Sequence, residues 1–146
     1  MVLQLPEATR IIESAIAKAQ ELNVEISVAI CNRDGHLIAF NRMDGVSLAE
    51  ANREAIGKAI VSAAWGLPSE QPQGVAHHIP QDLVYAEGAP AIRRRGGLPI
   101  LRHGKVEGAC GVSGAGDGEV EEECARTGIA ALLHDLLRCR IGAPSA

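Results

Sequence analysis

Apolar side chains recur at steps of three and four through Ala8, Ile11, Ile12, Ala15, Ile16, Ala19 and Leu22. That spacing is one face of a helix. Pro6 suits its first turn, where a missing N–H costs nothing, and Asn23 is a plausible stop. The period then changes to two, with Val24, Ile26, Val28 and Ile30 alternating with Glu25, Ser27 and Ala29. Alternation of this kind predicts a half-buried strand. Asn32-Arg33-Asp34-Gly35 supplies a tight turn, and a partner strand follows from His36 to about Arg42.

Ser47-Leu48-Ala49-Glu50 has the form of a capping box and predicts that a helix starts there. Ala51, Ala55, Ile56, Ala59, Ile60 and Ala63 share one side of that helix, a narrow face that would sit close to its neighbour. Gly66 and Pro68 end it. Residues 68–97 have no clean period and carry four prolines, although a short helix fits within 80–89. Leu98–Leu101 reads as a short strand, His103-Gly104 as a turn, and Val106 to Val112 as a further alternating strand. A last helix is expected over about 119–138. The order of elements predicts an α+β fold with helices packed on an antiparallel sheet.

The chain has 146 residues, the usual size of one domain, here read as 1–141 with a frayed tail at 142–146. Aromatic content is 2% and the net charge is −4. Both argue against nucleic-acid partners, which are gripped by basic surfaces and stacked rings. No apolar run approaches the roughly 18 residues of a membrane span, and Glu7, Arg10 and Glu13 interrupt any signal sequence. A soluble cytoplasmic protein is the expectation. Cys31, Cys110, Cys124 and Cys139 are scattered, without the paired spacing of a zinc site, so reduced and mostly buried thiols are expected and no metal centre.

Each chemical motif has a plain structural alternative. Gly108, Gly111, Gly114 and Gly116 lack the lysine and the βαβ setting of a phosphate loop, so close packing or a pocket wall is the better reading. Arg93-Arg94-Arg95 before Gly96-Gly97 is either a solvated loop or a clamp for carboxylates or phosphates at a pocket mouth. His77 and His78 are surface residues or candidates for an axial iron ligand. Glu54 and Lys58, four apart on the second helix, are a surface ion pair or an acid/base pair facing a pocket. Cys110 has no adjacent base that would make it a nucleophile.

Several stretches together resemble a known family. Ile26–Ile30, Asp34–Phe40 and Arg42-Met43-Asp44-Gly45 are similar to the GlcG/HbpS haem-binding family, which includes the C-terminal domain of PduO-type proteins. Lys58-Ala59, Ala63-Ala64, Gly96-Gly97-Leu98-Pro99-Ile100 and Gly108–Gly114 extend the likeness over nearly the whole chain apart from 68–95. The resemblance implies a profilin-like domain, a five-stranded antiparallel sheet flanked by helices. It also implies a homo-oligomer (dimer, tetramer or octamer) tied to a catabolic pathway. Haem is the implied ligand or cofactor. An acidic residue following the Gly-Val-Ser-Gly segment is expected from the family, and Asp117 or Glu121 supplies it. Cys110 stands where the family often has isoleucine.

Two functions follow as expectations. The first is a binding protein for haem or another large anionic ring, with Arg93, Arg94 or Arg95 on the propionates and His77 or His78 on the iron. The second is an enzyme for a small carboxylated metabolite (a hydrolase, isomerase or hydratase) with its pocket at a subunit interface. There Glu54 and Lys58 would handle protons, while Arg42, the three arginines, Gly97 and Ser113 would line the ligand. An oligomeric accessory protein without chemistry of its own is the third reading.

Overall fold

The first helix, α1, runs Leu5–Glu21 and buries Ala8, Ile11, Ile12, Ala15 and Ala19, the stripe its period predicts. A computed structural model describes residues 2–72 and 77–140, so the tail expected at 142–146 lies outside the described residues. Gln4 and Glu7 form the capping box that starts α1. Asn23, at φ 57°, turns the chain out of it. Strand β1 (Ser27–Asn32) pairs antiparallel with β2 (Leu37–Arg42). The Asn32 side chain accepts from the N–H groups of Asp34 and His36. Gly35, at φ 84°, takes the left-handed conformation that closes the turn between β1 and β2.

The second helix, α2, is Ala51–Trp65, and its start differs from the expectation. Ser47 and Glu50 form no capping box. The Ala51 N–H bonds the Leu48 carbonyl in a turn, and no side chain caps the helix. Gly66 ends α2 in the left-handed conformation, as expected. The irregular stretch that follows contains, among the described residues, a 3-10 turn at Gln81–Leu83 and a ribbon of β3 (Tyr85–Ala86) and β4 (Ala89–Pro90). Strands β5 (Gly97–Arg102) and β6 (Lys105–Ser113) form the second hairpin. Its two turn residues, His103 and Gly104, both have positive φ. The last helix, α3, is Gly118–Arg140.

Among the described residues the main sheet has four strands in the order β2-β1-β6-β5, not five. The remaining two strands pair only with each other, because the ribbon folds back on itself and lies against the outer side of α2. The alternation of β1 and β6 sorts two cores. Val28, Ile30, Cys110 and Val112 face α1 and α3, whereas Ala29, Cys31 and Ala109 face α2. Helix α2 is therefore covered on both sides. Ala55 and Ala59 meet the sheet, while Ile60 and Val61 pack with Ile79 and Leu83. No helix among the described residues is long and apolar enough to cross a membrane.

Two glycines of β6 permit close backbone approach, Gly111 to α2 and Gly108 to the neighbouring strand β1. A Cβ at Gly111 would strike the Ala55 carbonyl, and one at Gly108 the Cys31 carbonyl. Backbone cannot yield as a flexible side chain would. Gly111→Ala should therefore destabilise the fold by about 1–3 kcal/mol or more through overpacking, read as a lower midpoint in urea. An unchanged midpoint would mean that α2 stands farther from the sheet than this geometry has it.

Candidate functional site

The close approach of α2 to β6 carries a charged side chain inside. Lys58 is 3% exposed, and its Nζ donates to the Val112 carbonyl at 3.0 Å and to Glu121 Oε1 at 2.9 Å. Glu121, 7% exposed on α3, also accepts from the Ala115 N–H through Oε2 at 3.1 Å. Gly96, at φ 132°, and Gly97 run directly past Lys58, where a Cβ on either would meet its side chain or backbone. A buried ion pair survives only when its hydrogen bonds are satisfied, and here each partner has a further backbone contact.

A second chain of contacts lies beside the first. Ser113 Oγ donates to Glu54 Oε2 at 2.7 Å, and Arg94 Nη2 donates to Glu54 Oε1 at 2.6 Å. The arginine is 62% exposed and the glutamate 24%. The backbone of Arg94 and Gly97 is fixed by Ser69, whose buried hydroxyl donates to the Arg94 carbonyl and accepts from the Gly97 N–H. Together these groups line a cleft of about 290 Å³ that includes Glu54, Lys58, Arg94, Arg95, Asp117 and Glu121. Asp117 accepts from the Glu119 N–H at the start of α3, so its carboxylate serves as a helix cap.

A larger groove of about 650 Å³ adjoins it, sharing Arg95 and Glu70 as a wall. Pro68, Pro72 and Arg93 also line it, as does Glu122, which pairs with Arg95 at 3.4 Å. The Arg93 guanidinium carbon lies 5.9 Å from the Trp65 ring centroid. The Trp65 ring meets His77 with centroids 5.1 Å apart, and its Nε1 donates to the His78 carbonyl.

The structure thus gathers Glu54, Lys58, Arg94 and Arg95 at one cleft, with Ser113 bonded to Glu54 and Gly97 packed under Lys58. Glu54 and Lys58 do not pair with each other as the four-residue spacing suggested. Each is drawn to a different partner across space. Arg93 and His77 belong instead to the Trp65 side. Arg42 is held outside the cleft, donating to Asn52 Oδ1 and the Val46 carbonyl. His78 is exposed. Ser69, Glu70 and Trp65 were not singled out as site residues by sequence reasoning, and no periodicity or motif marks them.

The cysteines take no part. Cys31, Cys110 and Cys124 are buried and free, and Cys139 is exposed. Burial pushes the Cys31 thiol up to about 12 and raises that of Cys110 too, so both stay protonated at neutral pH. Among the described residues no group of three or more histidine, cysteine and acidic side chains could hold a metal ion.

The Lys58–Glu121 pair gives a direct test. Lys58→Met leaves Glu121 buried without its cation and should cost about 3–5 kcal/mol in chemical denaturation. Adding Glu121→Leu should recover most of that loss. A single variant as stable as wild type would show that the pair is not buried in solution.

A family model described as haem degrading protein HbpS-like matches residues 3–130. Protein GlcG of Escherichia coli is 26% identical over 121 residues, spanning 77% of this chain and 82% of GlcG. A double mutant of Streptomyces reticuli HbpS has a TM-score of 0.74 at 28% identity, covering 90% of this chain and 88% of that one. The PduOC:heme complex has a TM-score of 0.73 at 25% identity, covering 90% and 95%. With the family model spanning most of its length and these likenesses beside it, the chain belongs to the HbpS-like family.

Proposed function

We propose that the protein binds haem or a similar carboxylated ring in the larger groove. The observation that carries this reading is the pairing of two guanidinium groups with a flat, partly apolar wall. Arg93 and Arg95 line the groove with Pro68 and Pro72, and Arg93 lies against the Trp65 ring that also meets His77. The volume is in the range that accommodates a sizeable organic ligand. Guanidinium forks suit propionate groups, and an imidazole suits iron. The groove's guanidinium groups therefore suit the carboxylates of haem, and His77, beside the Trp65 ring that Arg93 also meets, is the candidate for its metal. Bound haem would supply iron redox chemistry. The chain's own part is to orient the ring and to screen one face from water. The haem named in the PduOC complex and in the family description supports the same reading.

A haemin titration tests it. A saturable Soret shift is expected for wild type. His77→Ala should abolish or displace the band, and Arg93→Gln with Arg95→Gln should weaken binding about tenfold, a change of roughly 1.4 kcal/mol. A flat wild-type titration would discard haem for this protein.

The smaller cleft favours a second reading, an enzyme acting on a small carboxylated metabolite. The observation behind it is a buried Lys58 at the foot of a polar cleft next to two carboxylates that are already hydrogen-bonded. Glu54 and Lys58 would handle protons, and Arg94 would hold the carboxylate. Mass spectrometry of acid-released small molecules should find a carboxylated metabolite that co-purifies with the native protein. Its absence would count against this reading.

A further inference from the structure

The smaller cleft presents an apparent contradiction. Its lining holds four carboxylates, Glu54, Glu70, Asp117 and Glu121, against three cations, Lys58, Arg94 and Arg95. An anion entering it must find a cation whose own carboxylate partner can be displaced. The contacts identify which one can. Glu121 is tied on both oxygens and buried, and Asp117 caps α3. Glu70 is exposed and forms no ion pair with these cations among the described residues, whereas Glu54 is shared between a firm partner and a loose one. Its Oε2 receives the Ser113 hydroxyl, and its Oε1 receives a single N–H from the exposed Arg94.

We propose that this cleft binds a short carboxylate by exchange: the ligand's carboxylate takes the place of Glu54 on Arg94. The idea rests on the cleft of the second reading but requires no turnover. Arginine carries five N–H donors in a planar fork, and Glu54 engages one of them among the described residues. A ligand carboxylate can occupy the fork in bidentate fashion, which Glu54 does not. Replacing one exposed ion pair by another costs little. The released Glu54 stays fixed by Ser113 and turns a free oxygen toward the ligand, so it favours a donor next to the ligand's carboxylate. That selects short acids bearing a neighbouring hydroxyl. A cleft of about 290 Å³ excludes large rings. The Lys58 ammonium adds attraction from below, with two of its three N–H groups held by Val112 and Glu121.

Exchange makes a demand that loss of a negative charge alone does not: Glu54→Gln should tighten carboxylate binding more than Glu70→Gln, which removes a lining charge without freeing Arg94. Glu54→Gln removes the internal competitor for Arg94 while keeping an acceptor for the Ser113 hydroxyl, so it should tighten carboxylate binding. Calorimetric titration would use L-lactate as the hydroxylated probe and propionate as its counterpart without the hydroxyl. Wild type should bind lactate saturably and more tightly than propionate. Arg94→Gln should weaken both by about tenfold or more, and Glu54→Gln should tighten propionate several-fold. If carboxylates bind but Glu54→Gln fails to tighten propionate, exchange is overturned and the metabolite reading stands. If neither probe binds wild type, exchange falls, and the metabolite reading then depends on what co-purifies.

Discussion

The distance between α2 and the central strands governs what the rest of the molecule can do. It is set by atoms that are missing, the side chains of Gly111 and Gly97, and by the small ones of Ala55 and Ala59. A larger residue at any of these points would lift the helix off the sheet. At the present distance the Lys58 ammonium reaches a β6 carbonyl and a carboxylate on α3. The same approach brings Glu54 to Ser113. The polar cleft follows from close packing and has no separate scaffold.

Both cavities lie around the turn that enters β5, and Arg95 and Glu70 form part of each. Ser69 holds that turn by donating to the Arg94 carbonyl and accepting from the Gly97 N–H. Its hydroxyl is buried, so the geometry is maintained away from water, where hydrogen bonds hold more firmly. The arginines then diverge. Arg94 goes to Glu54 on α2, Arg95 to Glu122 on α3, and Arg93 to the ring of Trp65. A run of three like charges is distributed over three partners, which spreads the repulsion and gives each cavity a cation.

Periodicity was legible wherever one face of an element alone is buried. Helix α1 and the two hairpins follow their patterns closely, because one side meets core and the other meets water. Helix α2 was harder to read. Its alanine stripe marks the face on the sheet, but Ile60 and Val61 are buried from the other side by residues 79 and 83, which carry no period of their own. The Ser47–Glu50 box matched a cap in sequence only, since a turn from Leu48 delays the helix to Ala51. The five-stranded sheet implied by the family likeness is not what forms among the described residues, because the two strands of two residues each pair with one another instead of joining the four-stranded sheet. The site residues were partly legible. Glu54, Lys58 and Arg94 could be named, but their partners are set by tertiary contact, which local spacing does not encode.

The Lys58–Glu121 pair calls for a reason beyond stability. Two charges taken from water incur a desolvation cost that their attraction repays only in part, and an apolar pair of similar shape often stabilises a fold as well or better. The pair sits at the base of a cleft that opens to solvent through Arg94, with Glu54 and Ser113 alongside. Charge placed under an open cavity keeps a fixed field where a ligand would enter, without reorganisation when it arrives. The ion pair, held at the base of that cleft by the close approach of α2, therefore supports the proposed reading of the cleft as a binding site.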